Sequence, residues 1–433
     1  MVRRQDTMAR MAYDDGIPGL RLADHWVTAP LDHANPTGET IEVYAREVVG
    51  AEHARPHELP WLVFLQGGPG GASPRPVRRE GWIDAAVERY RVLLLDQRGT
   101  GRSTPLTPAR VTAMGSDEAV AAYAGHHRAD AIVRDAELFR ERLADGARWS
   151  TIGQSYGGFC TFVYLSLAPE GLERCLVTGG VPPIGLTAEE VYRRTWPRIV
   201  AKNREHHARW PGDRDRLREV AAVVREGRSV LPTGDPMTVD RLQALGIAFG
   251  MSTGSAEIHH LLGDAIAGGQ LTPGFLAAVA ERTAMVTQPL FALIHEPIYS
   301  EGPATAWAAE RVRADVPEAA RDAEDVLLIG EIIEPWRFVQ ESAMHPYAAA
   351  AEILAARADW GSLYDRERLS DNEVPVCAAV YYDDMYVDAH ASLDVVGRAG
   401  RARAWVTNQY EHDGLRADAE VFRRLDRMSR GLA

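Results

Sequence analysis

Ser155 stands in Gly153-Gln154-Ser155-Tyr156-Gly157-Gly158, a G-x-S-x-G string between a short apolar run and an apolar helical segment. That setting lifts a serine onto a tight strand-to-helix turn with its hydroxyl free to attack. Glycines two residues before and after it let the strand and helix backbones pass closely. A nucleophilic serine needs a base, and two later loops supply carboxylates and an imidazole in the order Ser, acid, His. After the apolar run 374–382 come Asp383-Asp384-Met385-Tyr386-Val387-Asp388, and after Ala402–Thr407 come Asn408-Gln409-Tyr410-Glu411-His412-Asp413-Gly414. His412 can take the serine proton while a carboxylate of the neighbouring loop orients its second ring nitrogen.

Acyl transfer also needs two N–H donors for a tetrahedral oxyanion. The backbone of Tyr156 is one expected donor. The other is expected from Gly67-Gly68, in the turn Gly67-Gly68-Pro69-Gly70-Gly71 that follows the apolar run Trp61–Leu65. Gly-rich turns also cradle phosphates, but no Gly-Lys-Ser/Thr or complete G-x-G-x-x-G follows, which sets nucleotide chemistry aside. His295-Glu296 has Tyr299 where a zinc-protease helix needs a second histidine. Cys160, Cys175 and Cys377 are too few and too scattered for a disulfide framework or a CxxC zinc site. The adjacent histidines beginning at His126, His206 and His259 have no ligand frame and are expected on surfaces or helices. No metal and no organic cofactor is therefore expected.

The elements that must position these residues are short apolar strands alternating with helices. Segments 41–49, Trp61–Leu65, 92–95 and 175–178 have strand composition, and the unalternating runs among them suit strands buried on both faces. A helical stretch over 131–143 and an apolar one over 159–167 separate them, which points to a mostly parallel sheet with crossover helices. From 182 to 369 the chain turns rich in Arg, Glu and Ala, is punctuated by Pro and Gly, and shows no clear buried-strand run. It is expected to be a helical insertion between the core parts 1–181 and 370–433. The chain closes with a charged amphipathic helix from about residue 415.

The length of 433 residues allows two or three domains, or one large α/β domain with an insertion, and 46% hydrophobic with 25% charged residues is ordinary globular composition. Lys plus Arg number 48 against 61 Asp plus Glu, a net charge of −13, so no nucleic-acid or anionic-membrane partner is expected. No run of 18 apolar residues occurs, and Met1 to Met11 has arginines without a following apolar stretch. A cytoplasmic protein is expected, with its oligomeric state open.

Gln66-Gly67-Gly68-Pro69-Gly70, Asp96-Gln97-Arg98-Gly99-Thr100-Gly101-Arg102-Ser103 and Gly153-Gln154-Ser155-Tyr156-Gly157-Gly158 together resemble the prolyl aminopeptidase (proline iminopeptidase) family in its longer-chain form. The resemblance runs from about residue 25 to the C-terminus, with Gln66 where shorter members usually carry His. It implies an α/β-hydrolase fold with a helical cap, and it narrows the acid to Asp384, ahead of Asp383 and then Asp388. It also implies cap glutamates that hold a substrate's α-ammonium, carried over to Glu296 and Glu331, with Glu334 behind them. Asp96 to Ser103 is expected to tie loops together rather than to react.

The implied function is a serine aminopeptidase that removes an N-terminal residue, proline favoured, from small peptides or aminoacyl amides through an acyl-enzyme. An esterase, thioesterase or amidase with the same triad, acting on a substrate without a free amine, is the second reading. A non-catalytic binding protein is the third, and the intact serine, histidine, acids and glycine turns argue against it.

Overall fold

The computed structural model of the chain describes residues 13–432. The opening segment, read above as lacking a leader, lies outside the described residues. Eight strands form the central sheet: β1 (Leu20–Pro30), β2 (Thr40–Gly50), β3 (Trp61–Leu65), β4 (Arg91–Leu95), β5 (Trp149–Gln154), β6 (Leu172–Thr178), β7 (Val376–Tyr381) and β8 (Ala402–Thr407). Their spatial order is β1-β2-β4-β3-β5-β6-β7-β8. β2 is antiparallel to both of its neighbours, β1 and β4; every pair from β4 to β8 is parallel.

Successive side chains of the central strands go to opposite faces, as a pleated strand requires. Trp61, Val63, Leu65, Leu93, Leu95, Val376, Ala378 and Val380 belong to one apolar cluster; Leu62, Phe64, Val92, Leu94, Cys377, Ala379 and Tyr381 belong to another. Helices α1 (Gly81–Val87), α2 (Ala129–Leu143), α3 (Tyr156–Leu167), α4 (Ala188–Arg209), α5 (Ala389–Arg398) and α6 (Ala419–Ser429) bear on the site. The first face is covered by α2, α3 and α5, through Ile132, Phe139, Phe162 and Val395. Trp82 of α1 and Phe422 of α6 cover the second.

β1 has no counterpart in the sequence expectation, because its eleven residues mix Arg, Asp and His with apolar ones. It lies at the sheet edge with one neighbour, where such mixing is tolerated.

Between β6 and β7 the chain leaves the sheet. Thr187 and Glu190 form a reciprocal capping box that starts α4. Residues of α4 and later helices bury Trp196, Ile199, Leu217, Leu242, Phe249 and Phe275 in a cluster of their own. Met385 and Tyr386, from the loop after β7, are buried in that same cluster. The run 326–329 is fully buried yet joins no sheet. Its backbone is satisfied laterally, Leu328 N–H by Asn203 Oδ1 at 2.9 Å and Ile329 N–H by the Gln243 carbonyl at 2.7 Å. His206, which is buried on α4, and His259 both lean on Asp213, at 3.1 and 3.0 Å, pinning three helices together.

Candidate active site

The turns that could carry chemistry all follow the C-terminal ends of parallel strands, where ligands meet α/β sheets. Leu65 at the end of β3 is paired with Gly153 of β5, so the glycine turn after β3 lies beside Ser155. A Cβ on Gly67 would come within 3.0 Å of Ser155 Cβ.

Ser155 joins β5 to α3 with φ +54° and ψ −125°. Such a conformation costs a non-glycine residue about 1–3 kcal/mol, and the surroundings must hold it. They do so through the Ser155 N–H, which donates to the Thr178 carbonyl of β6 at 3.0 Å. Close packing does the rest. A Cβ at Gly157 would lie 1.8 Å from the Leu65 carbonyl oxygen, and one at Gly180 would lie 2.0 Å from the Ser155 carbonyl oxygen. The Tyr156 N–H is the first of α3 and has no acceptor within the helix, at the end where the helix dipole favours negative charge.

Asp384 Oδ2 accepts from His412 Nδ1 at 2.7 Å, and both side chains are buried. Asp383 points elsewhere, 3.3 Å from Arg198, and Asp388 caps α5 by accepting from the Ala391 N–H at 2.8 Å. The His412 ring meets Tyr386 edge-on at 4.9 Å. It rests over the Gly179-Gly180 step: a Cβ at Gly179 would come within 3.2 Å of His412 Nδ1, and Gly180 packs on Ser155. Burial pulls the imidazole toward its neutral form, but the charge and hydrogen bond of Asp384, joined by Glu331, outweigh it and hold its pKa above the ordinary value. A base so oriented can accept a proton at Nε2 and have the resulting cation stabilised.

The three glutamates named from the resemblance part company. Glu331 ends the buried run 326–329 and Gly330, whose bare Cα leaves room for Met385; a Cβ there would stand 2.7 Å from Met385 Cε. Burial lifts the Glu331 carboxyl to about 7, with His412 opposing the rise and Asp384 adding to it. It therefore stands within the field of the histidine and the aspartate. Glu296 instead accepts from the N–H groups of Ala308 and Ala309 at 3.1 and 2.8 Å, capping the helix Ala308–Arg313. Glu334 is fully buried against Arg313 at 2.7 Å and the Trp336 indole at 3.0 Å. Both have their oxygens engaged by the fold, which sets them apart from Glu331.

Tyr192 and Tyr299 went unnamed as site residues. Tyr299 meets Tyr192, Phe159 and His295 edge-on at 6.2, 6.0 and 6.2 Å, an aromatic wall whose phenol titrates upward from burial and from Glu331, Asp384 and Glu296. Nothing in the spacing of α4 singles Tyr192 out from core aromatics. The Asp96–Ser103 motif is architectural. Asp96 accepts from the N–H groups of Ser73 and Arg102 at 3.0 and 2.9 Å, and Arg98 grips Asp135 at 2.6 Å and the Leu31 carbonyl at 2.7 Å.

A serine on a strand-to-helix elbow, with an acid and a histidine on later strand ends of this sheet order, is the layout of the α/β hydrolases. A family model described as alpha/beta hydrolase fold matches residues 60–253. A proline iminopeptidase of Aeromonas sobria is 45% identical over 417 residues, 96% of this chain and 98% of the relative. One of Aspergillus aculeatus is 31% identical, covering 94% of this chain and 92% of its own. Across that span and identity, the chain belongs to the proline iminopeptidase family.

Proposed function

We propose that the protein is a serine aminopeptidase that releases an N-terminal residue, proline favoured, from small peptides or aminoacyl amides. The observation that carries this reading is Glu331, a carboxylate at the end of the buried run 326–329 and Gly330 that is coupled by charge to both His412 and Asp384. An arriving α-ammonium gives it a counter-ion and keeps it ionised, which selects substrates with a free amine next to the scissile carbonyl. The full-length likeness to proline iminopeptidases supports the preference for proline.

In this scheme Ser155 Oγ attacks the carbonyl carbon of the first residue as His412 Nε2 takes its proton. The oxyanion is met by the N–H of Tyr156 and one from Gly67-Gly68. The tetrahedral intermediate expels the amine, which receives the proton from His412; water then repeats the sequence on the ester. Asp384 holds the imidazole tautomer throughout. Residues 182–369 act as a helical cap over the core parts on either side, and the aromatic wall of Tyr192 and Tyr299 closes the site to long chains. A cytoplasmic setting belongs to the same proposal, supported by three free, buried cysteines; among the described residues no helix is long and apolar enough to cross a membrane.

The test is release of β-naphthylamine from L-proline, L-alanine and N-acetyl-L-proline naphthylamides, with Ser155→Ala as the blank. Fast turnover of free-amine proline and none of the acetylated compound is expected. Equal turnover of both, or hydrolysis of a simple ester alone, would overturn the aminopeptidase reading and leave an esterase or amidase.

A further inference from the structure

Arg194, Arg198 and Lys202 recur every four residues along α4 and so form a row on one face. Each faces a carboxylate from the loops after β7 and β8. Arg194 lies 3.7 Å from Asp388, Arg198 lies 3.3 Å from Asp383, and Lys202 Nζ lies 2.7 Å from Glu411. The row runs inward: the exposed fraction of the basic side chain falls from 47% at Arg194 to 25% at Arg198 and 7% at Lys202. Asp383 directly precedes Asp384, and Glu411 directly precedes His412.

The backbone repeats the pattern. The His412 N–H donates to the Gly250 carbonyl at 3.0 Å. Asp413 accepts from the Ser252 N–H at 3.2 Å and from its hydroxyl at 2.6 Å. The Tyr386 hydroxyl donates to the Ile247 carbonyl. With Met385 and Tyr386 buried in the insertion's own apolar cluster, both the acid loop and the base loop are seated on inserted chain. A movement that lifted α4 would unseat both at once.

We propose that Lys202 is a positioning residue, holding the His412 loop through Glu411, and that α4 is a fixed part of the catalytic geometry rather than a lid that swings open. The inference rests on Ser155, Asp384 and His412 acting as described under Proposed function. The charged groups that face His412 are Asp384, Glu331 and Arg416, and those that face Glu411 are Lys202, Glu205 and Asp384. Lys202 and Glu411 together contribute no net charge to this set. Removing the ammonium leaves the Glu411 charge unopposed, which raises the proton affinity of His412; removing the carboxylate leaves the ammonium with Glu205, a largely exposed partner at 3.4 Å, and so lowers it.

The experiment measures kcat, KM and the pH profile of kcat/KM on prolyl β-naphthylamide, with the rate of Ser155 labelling by a fluorophosphonate and thermal melts alongside. The variants are Lys202→Met, Lys202→Arg, Glu411→Gln and the double Lys202→Met/Glu411→Gln. Lys202→Met is expected to lower kcat about tenfold or more with KM within about twofold, and to move the acid limb to higher pH. Glu411→Gln moves the limb to lower pH, the double variant brings it back toward the parent, and Lys202→Arg recovers most of kcat. If Lys202→Met does not fold, the direction of the Glu411→Gln limb decides. A folded Lys202→Met with parental kcat and an unmoved limb, or an unmoved limb in Glu411→Gln, overturns the proposal. A parent that is labelled but leaves the naphthylamide intact would sink the substrate reading alone, since labelling rates still report on positioning.

Discussion

The carboxylate of Asp384 divides its work: Oδ2 accepts a hydrogen bond from His412 Nδ1 at 2.7 Å, while Oδ1 accepts from the N–H groups of Tyr386 and Val387 at 2.8 and 3.1 Å. One oxygen orients the base and the other fixes the loop. An amide in this place can preserve one of those tasks but not both. Asp384→Asn is expected to fold, to fall roughly ten-thousandfold in kcat, and to keep KM near the parent. Asp383→Asn, at a carboxylate that lies 3.3 Å from the part-exposed Arg198, should stay within about threefold. Steady-state kinetics on the pair checks the assignment of the acid; the reverse ranking would transfer it to Asp383.

Ser155 sits at φ +54°. Alanine suffers the same backbone strain as serine, whereas glycine does not. Ser155→Ala and Ser155→Gly are therefore both expected to lose turnover, with Ser155→Gly melting at the higher temperature. Differential scanning calorimetry of the two variants would show it, and an identical or lower melting point for the glycine variant would contradict the strain at the elbow.

Glu331 carries a carboxyl raised from 4.5 to about 7, so the folded state binds its proton more tightly than the unfolded chain does. Stability is then full below the ordinary carboxylate value and declines as pH rises through the window from about 4.5 to about 7. Glu331→Gln removes that decline: its melting point should match the parent near the lower bound and exceed it above pH 7. The same change should cost about 2 kcal/mol, roughly thirtyfold in kcat/KM, on free-amine substrates. Because the Glu331 charge also raises the His412 pKa, the acid limb should move to lower pH. Melts across pH and a kinetic profile test all three.

Gly157 and Gly274 respond oppositely to alanine. A Cβ at Gly157 would meet the Leu65 carbonyl oxygen at 1.8 Å, while a Cβ at Gly274, in the exposed first turn of the helix Pro273–Thr283, meets nothing within 4 Å. Gly157→Ala is expected to yield insoluble or unfolded protein. Gly274→Ala should gain about 0.5–1 kcal/mol in urea unfolding.

What was legible in the sequence is what local pattern controls. Trp61–Leu65 and Val376–Tyr381 are apolar throughout because both faces of the sheet are covered, so their runs stand out. Ser155, His412 and their glycine turns stand out because an elbow and an oxyanion site need small neighbours at set spacings. β1 was hidden by the polar residues that an edge strand tolerates. The glutamates were hidden for a different reason. Glu296, Glu331 and Glu334 have similar surroundings in sequence, and only tertiary packing decides that one caps a helix N-terminus, one pairs with Arg313 and one feels the charges of His412 and Asp384. Lys202 is one of many basic residues along α4, and its partner Glu411 lies 209 positions away.

The elbow that holds Ser155 is complete once β6 is in place, yet β7 and β8, with the acid and the imidazole, follow the entire insertion. Protein synthesis is vectorial, so every nascent chain exposes its serine turn well before any base has left the ribosome. The order of the strands therefore withholds the imidazole from the serine turn until β8 and the loop after it have been made.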